Sequence, residues 1–229
     1  MATPKKGASK EIEVGDIVSK SEQFIEKHKQ RIIYCIAGIA IVVAGIFGTY
    51  YGYLIPKEKQ AAITIFKGEQ YFARDSFALA LHGNQADYPG FLSIIDDYGT
   101  SSSANLAKAY AGICYFRMGD PENALKLLKG FKGKDKMISP AVIGLIGDCH
   151  VNAGRFKEAI PYFEKAANKA DNEVLGPVFL KKAGLVYEEL KEYNNAVKVY
   201  TTIKEKYFNS EEAASIDKYI IRASELAKN

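Results

Sequence analysis

Three stretches decide the reading of this chain: AGICYFRMGDPENALKLL (111–128), IGDCHVNAGRFKEAIPYF (146–163) and AGLVYEELKEYNNAVKVY (183–200). Aligned on Gly112, Gly147 and Gly184, each has an alanine twelve residues on (Ala124, Ala159, Ala196) and a bulky apolar residue four beyond it (Leu128, Phe163, Tyr200). The register predicts stacked helical hairpins, in which small residues let antiparallel helices approach and bulky ones fill the gaps between hairpins. Upstream, AITIFKGEQYFARDSFALAL (62–81) carries the same small-then-aromatic feature at Gly68 and Tyr71, with Ala80 twelve on. HGNQADYPG then interrupts before FLSIIDDYG (91–99) resumes helical spacing. Downstream, EEAASIDKYIIRASELAK (211–228) reads as a lone amphipathic helix that caps the apolar end of the stack.

This pattern resembles the tetratricopeptide repeat, whose first helix carries a small residue and then an aromatic three positions on. Tyr115 and Tyr187 match that aromatic, and His150 replaces it in the middle repeat. Gly119 and Gly154 meet the family's turn glycine, from which Lys191 departs, and Phe156 and Tyr193 fit the aromatic that opens the second helix. The glycine spacings are 35 and 37 residues, which lengthens only the connections KGKDKMIS and NKADNEVLG. A second echo links Tyr98 and Tyr207, each followed by a polar turn in which Ser102, and Asn209 or Ser210, can cap the next helix.

The expected fold is all-α: a transmembrane helix, then a solenoid over 56–229. The solenoid comprises a degenerate repeat (58–100), repeats at about 105–138, 140–173 and 177–210, and a cap helix (211–227). The resemblance implies a concave groove lined by first helices, which accepts a partner's helix or extended peptide. By register its residues include Tyr110, Ile113 and Arg117, then Asp148 and Asn152, then Lys181, Leu185 and Glu188. Some family members clamp a C-terminal carboxylate with lysines and asparagines. Lys181 fits one such position, but Ile113, Asp148 and Leu185 stand where the asparagine is needed, so no tail clamp is expected.

Ahead of the repeats lies RIIYCIAGIAIVVAGIFGTYYGYLIPKEK (31–59), in which Ile32 to Ile55 carries no Asp, Glu, Lys, Arg or His. A helix of that length spans ~36 Å, enough for a bilayer core with some tilt. The long leader, the length of the apolar run and the absence of a small-residue cleavage site argue against a cleaved signal. Lys20, Lys27, Lys29 and Arg31 precede the span whereas Lys57 and Lys59 flank Glu58 after it, which predicts residues 1–31 in the cytoplasm and the repeats translocated. Tyr50, Tyr51 and Tyr53 would form the outer aromatic belt. Gly38, Gly45 and Gly52 recur every seven residues, and Gly48 pairs with Gly52 as small-x-x-x-small, which predicts close packing on a membrane partner or on a second copy.

The chain carries no expected chemistry. The charge balance is bland, 31 Lys+Arg against 27 Asp+Glu, so no nucleic-acid footprint is read and the basic run KGFKGKDKM (129–137) is taken as a solvated loop. Cys114 and Cys149 occupy equivalent positions in consecutive repeats, ~10 Å apart and beyond the ~7 Å reach of a disulfide, which predicts two buried free thiols. His28, His82 and His150 are scattered, with no metal pair at i+3 or i+4. With no phosphate loop or nucleophile elbow, neither an enzyme nor a cofactor or metal site is expected.

Leader, span, translocated repeats and cap helix together resemble bacterial tetratricopeptide proteins related to the ancillary subunit of the Sec translocon. The resemblance implies a single-pass inner-membrane scaffold with a periplasmic domain, next to the translocon, whose groove holds a chaperone or an emerging chain. Its rivals are an envelope scaffold for outer-membrane or cell-wall assembly, and a receptor on an organelle surface with the opposite topology.

Overall fold

The structure, a computed structural model, describes residues 14–84 and 87–228, with side chains described from Phe24 onward. Residues 1–13 of the leader expected at 1–31 lie outside the described residues. The chain divides into two units, Met1–Ile55 and Pro56–Asn229. Among the described residues it is all α-helical apart from turns and one isolated bridge, Asn84 to Tyr88.

The first unit is helix α1 (Val14–Thr49), followed by a π-helical turn at Tyr50–Leu54. Among the described residues there is one helix long and apolar enough to cross a membrane, and none of its apolar window is buried. The side chains of Ile33, Ile36, Ile39, Val42, Ile46 and Tyr50 are all exposed. Gly38, Gly45 and Gly48 lie on regular α-helix with open space where a Cβ would stand. Gly52 falls inside the π turn, also with open space where a Cβ would stand. A π turn closes i to i+5 and winds fewer degrees per residue, so Gly52 drifts off the face set by Gly38 and Gly45.

The second unit is a stack of hairpins. Helix α2 (Ile55–Ala73) begins the first repeat, whose second half is split between α3 (Phe77–His82) and α4 (Phe91–Asp97). The three regular hairpins are α5 (Ser102–Arg117) with α6 (Pro121–Leu128), α7 (Ile138–Asn152) with α8 (Phe156–Ala170), and α9 (Gly176–Glu189) with α10 (Tyr193–Lys206). Helix α11 (Asp217–Leu226) ends the stack. The cap is shorter than its sequence pattern because Ala213–Ser215 forms a 3₁₀ turn, which drives Ile216 into the core at 0% exposure. Ser210 Oγ accepts from the Ala213 N–H to hold that turn.

The register glycines are sites of close approach. A Cβ on Gly112 would stand 2.5 Å from Leu128, and one on Gly147 would stand 2.7 Å from Phe163; Gly184 is closed in the same way by Tyr200. Between hairpins, Gly144 on α7 faces Phe179 on α9; within the last hairpin, Gly176 faces Tyr207 at the end of α10. In the degenerate repeat the bulky partner of Gly68 comes from further along the chain, as Tyr88 and Phe91. Tyr88 is 1% exposed and its hydroxyl donates to the Ala80 carbonyl at 2.9 Å.

Capping differs from expectation at one helix. Ser101, not Ser102, caps α5, its side chain accepting from the Ala104 N–H at 2.9 Å. The Ser102 and Ser103 N–H groups donate instead to the carboxylate of Glu58 on α2, at 2.6 and 3.1 Å, where the negative charge also suits the helix dipole.

The hairpin turns place Gly119, Gly154 and Lys191 at φ of 83°, 69° and 60°. Glycine adopts this left-handed geometry freely, whereas a Cβ strains it. Lys191→Gly is therefore expected to stabilise the protein by about 0.5–1 kcal/mol, read as a rise in the urea midpoint at unchanged slope. An unchanged or lower midpoint would show that the lysine is not strained.

Candidate functional site

The first helices of the three regular hairpins share one face. Leu106, Tyr110 and Ile113 on α5 and Ile138, Ala141 and Leu145 on α7 recur at three- and four-residue spacing, so these two helices each turn an apolar stripe the same way, and α9 adds Phe179. The stripes line a recess of about 580 Å³. At one end Lys182 donates to both carboxylate oxygens of Asp148, at 2.8 and 2.7 Å. The recess thus pairs an apolar floor with one self-neutralised ion pair, the makeup of a site for apolar side chains.

Of the residues expected in the groove, Tyr110, Ile113 and Asp148 line this recess. Arg117, Asn152 and Leu185 are exposed and lie outside its lining. Lys181 and Glu188 also lie outside this lining, and each contacts the last helix. The Lys181 ammonium sits over the Tyr219 ring, 5.1 Å from its centre. Glu188 accepts from the Tyr200 hydroxyl at 2.9 Å and pairs with Arg222 at 2.8 Å. Burial, and then the hydrogen bond to Glu188, push the Tyr200 hydroxyl well above its ordinary range. The signal that finds the right residue is in the sequence: Tyr110, Leu145 and Lys182 all stand two residues before the register glycine.

The other sequence candidates are structural. Cys114 and Cys149 are buried free thiols, and burial pushes both up to about 12, so at neutral pH neither is a nucleophile. His150 is buried and stacked on Tyr162 at 5.2 Å. Burial, ahead of the opposing charge of Glu158, lowers its pKa and favours the neutral ring. In the neutral ring its Nδ1 accepts from Arg155 Nε at 3.1 Å, and Arg155 in turn pairs with Glu122 at 2.6 Å. Among the described residues no group of three or more His, Cys, Asp or Glu could hold a metal.

Comparison with known proteins agrees with this geometry. Tetratricopeptide repeat family models match residues 110–135, 141–168 and 181–210. Over 101 residues the chain is 31% identical to the TPR repeat-containing protein MJ1428 of Methanocaldococcus jannaschii; the match takes in 44% of this chain and 17% of that protein. Among solved structures, a crystal structure of MamA protein overlays with a TM-score of 0.52 at 19% identity, covering 73% of this chain and 92% of that one. A second MamA crystal structure gives 0.50, again at 19% identity, over 70% and 94%. At that identity the likeness is one of fold. From Pro56 onward the chain is an all-helical solenoid of the tetratricopeptide-repeat kind.

Proposed function

We propose that this chain is a non-enzymatic, membrane-anchored scaffold that holds a protein partner in the apolar recess between α5, α7 and α9. The observation that carries the reading is the recess itself: two apolar stripes in register on α5 and α7, closed by Phe179 of α9, with the flanking charges at Asp148 and Lys182 already paired. The solenoid fold supports protein binding in general, and the unburied apolar helix supports a bilayer span. The basic flank of Lys27, Lys29 and Arg31 supports an N-terminus in the cytoplasm and repeats in the periplasm of a bacterial inner membrane. In this reading the protein is an ancillary factor beside the translocon, and its recess receives apolar segments of a chaperone or an emerging chain. The span, through Gly38, Gly45 and Gly48, packs on a membrane partner or a second copy. The alternative is an envelope scaffold for outer-membrane or cell-wall machinery.

A photo-crosslinking residue at Ile138 or Ala141, activated in intact cells, tests the reading. Crosslinks to secretion-channel components or emerging chains are the expected result, and they should fall at least tenfold when Leu145→Glu is added. Crosslinks to wall or outer-membrane proteins alone would favour the alternative. Crosslinks indifferent to Leu145→Glu would remove the recess from either function.

A further inference from the structure

The second helices of the regular hairpins are unequal. Helix α6 has 8 residues against 15 in α8 and 14 in α10, so it stops about two turns short of its neighbours. Where those turns would pack, residues 129–137 run as an ordered loop. Gly133 passes so close to Ser139 and the Phe131 ring that a Cβ has no room. Asn105 holds the loop through a reciprocal pair with Lys132, its Nδ2 donating to the Lys132 carbonyl at 2.7 Å and its Oδ1 accepting from the Lys132 N–H at 2.9 Å. The missing turns leave a second recess of about 670 Å³, divided from the apolar groove by Val142, which lines both, and floored by Phe131, Val142, Ile143 and Ile146.

Five lysines rim it: Lys129, Lys132 and Lys134 from the loop, and Lys165 and Lys169 from α8. Lys165 and Lys169 are four residues apart and share a face with Tyr162, three residues before Lys165. None of the five makes an ion pair among the described residues. The one carboxylate in the loop, Asp135, is occupied: it accepts from the N–H groups of Met137, Ile138 and Ser139 and from the Ser139 hydroxyl. Those bonds hold its pKa well below the usual carboxylate range, the Ser139 hydroxyl contributing most.

We propose that this recess binds an acidic segment of a partner protein, with one or two bulky apolar residues on the floor and flanking carboxylates on the five lysines. The spread of the charges selects this ligand over a phosphate group. The lysines stand on opposite rims, and the N–H groups that begin α7, the natural phosphate cradle at this place, are used by Asp135. The inference rests on the scaffold reading and supplies a second partner contact, on the face opposite in chemistry to the apolar groove.

The test uses the full chain in detergent micelles and a fluorescent, end-blocked peptide carrying Phe-Leu between runs of glutamate, followed by anisotropy. The wild type binds this peptide at least tenfold more tightly than its glutamine counterpart, and added salt weakens the binding. Lys165→Gln with Lys169→Gln, the first exposed and the second half-buried, weakens it about tenfold. Lys132→Gln with Lys134→Gln does the same from the other rim, which guards against a folding artefact in either variant. Ile113→Glu in the apolar groove leaves it unchanged, so failure of the groove reading and failure of this proposal give different patterns. Equal binding of the glutamate and glutamine peptides, or affinity unchanged in both lysine pairs, overturns the proposal. So does displacement of the peptide by inorganic phosphate or by vesicles of anionic lipid at equivalent charge.

Discussion

Phe163→Ala is expected to destabilise the solenoid by about 3–5 kcal/mol, a large share of the ~5–15 kcal/mol that holds a typical domain folded. The ring is 1% exposed and packs on the bare backbone of Gly147, with the Lys182 ammonium 5.7 Å from its centre. Truncation leaves a cavity that a rigid helix backbone cannot collapse to fill. The reverse change, Gly147→Ala, is expected to cost about 1–3 kcal/mol, because the new methyl meets the ring at 2.7 Å. The two sites share one contact, so the double variant should be less destabilised than the sum of the singles, by more than ~0.5 kcal/mol. Chemical denaturation followed by circular dichroism measures all three, and strict additivity would show that the glycine is not there for the ring.

The second large effect concerns the first unit. Ile39→Arg together with Val43→Arg is expected to move the protein from the carbonate-resistant membrane pellet to the soluble fraction. Each guanidinium near the centre of a span costs about 2.5–3.5 kcal/mol on insertion scales, and two such costs exceed what the remaining apolar residues offset. Ile39 is exposed and Val43 is also exposed, so neither substitution has a protein core to disturb. Extraction of the wild-type chain by carbonate would remove the anchor from the proposed function, while leaving the two recesses as they are.

The hairpin register was legible because it is local: a glycine and a bulky residue sixteen positions on meet across one turn. Gly112 with Leu128, Gly147 with Phe163 and Gly184 with Tyr200 do so. The groove was legible on α5, where Tyr110 and Ile113 share a stripe, and lost on α9, where choosing Lys181 over Lys182 rotates the side chain by about 100° toward the last helix. Glu188 went astray for a related reason, since its partner Arg222 lies 34 residues away. The π turn at Tyr50–Leu54 leaves no mark in composition, because an apolar run looks the same whether it closes i to i+4 or i to i+5. The lysine-rimmed recess was hidden because it follows from where α6 stops. The run KGFKGKDKM reads as a loop in isolation, and only the stacked α8 adds Lys165 and Lys169 to it.

The carboxylate of Glu58 sets a practical boundary. It satisfies two N–H groups at the start of α5, 44 and 45 residues along the chain, and also accepts from the Ser103 hydroxyl at 2.8 Å. A water-soluble fragment of the repeats made by trimming the apolar run must therefore retain Glu58, which stands three residues after Ile55. Cutting a few residues later, at a point that looks equally innocent in the sequence, would leave the Ser102 and Ser103 N–H groups without their carboxylate and Ser101 alone to cap α5, so the fragment would fray at that end.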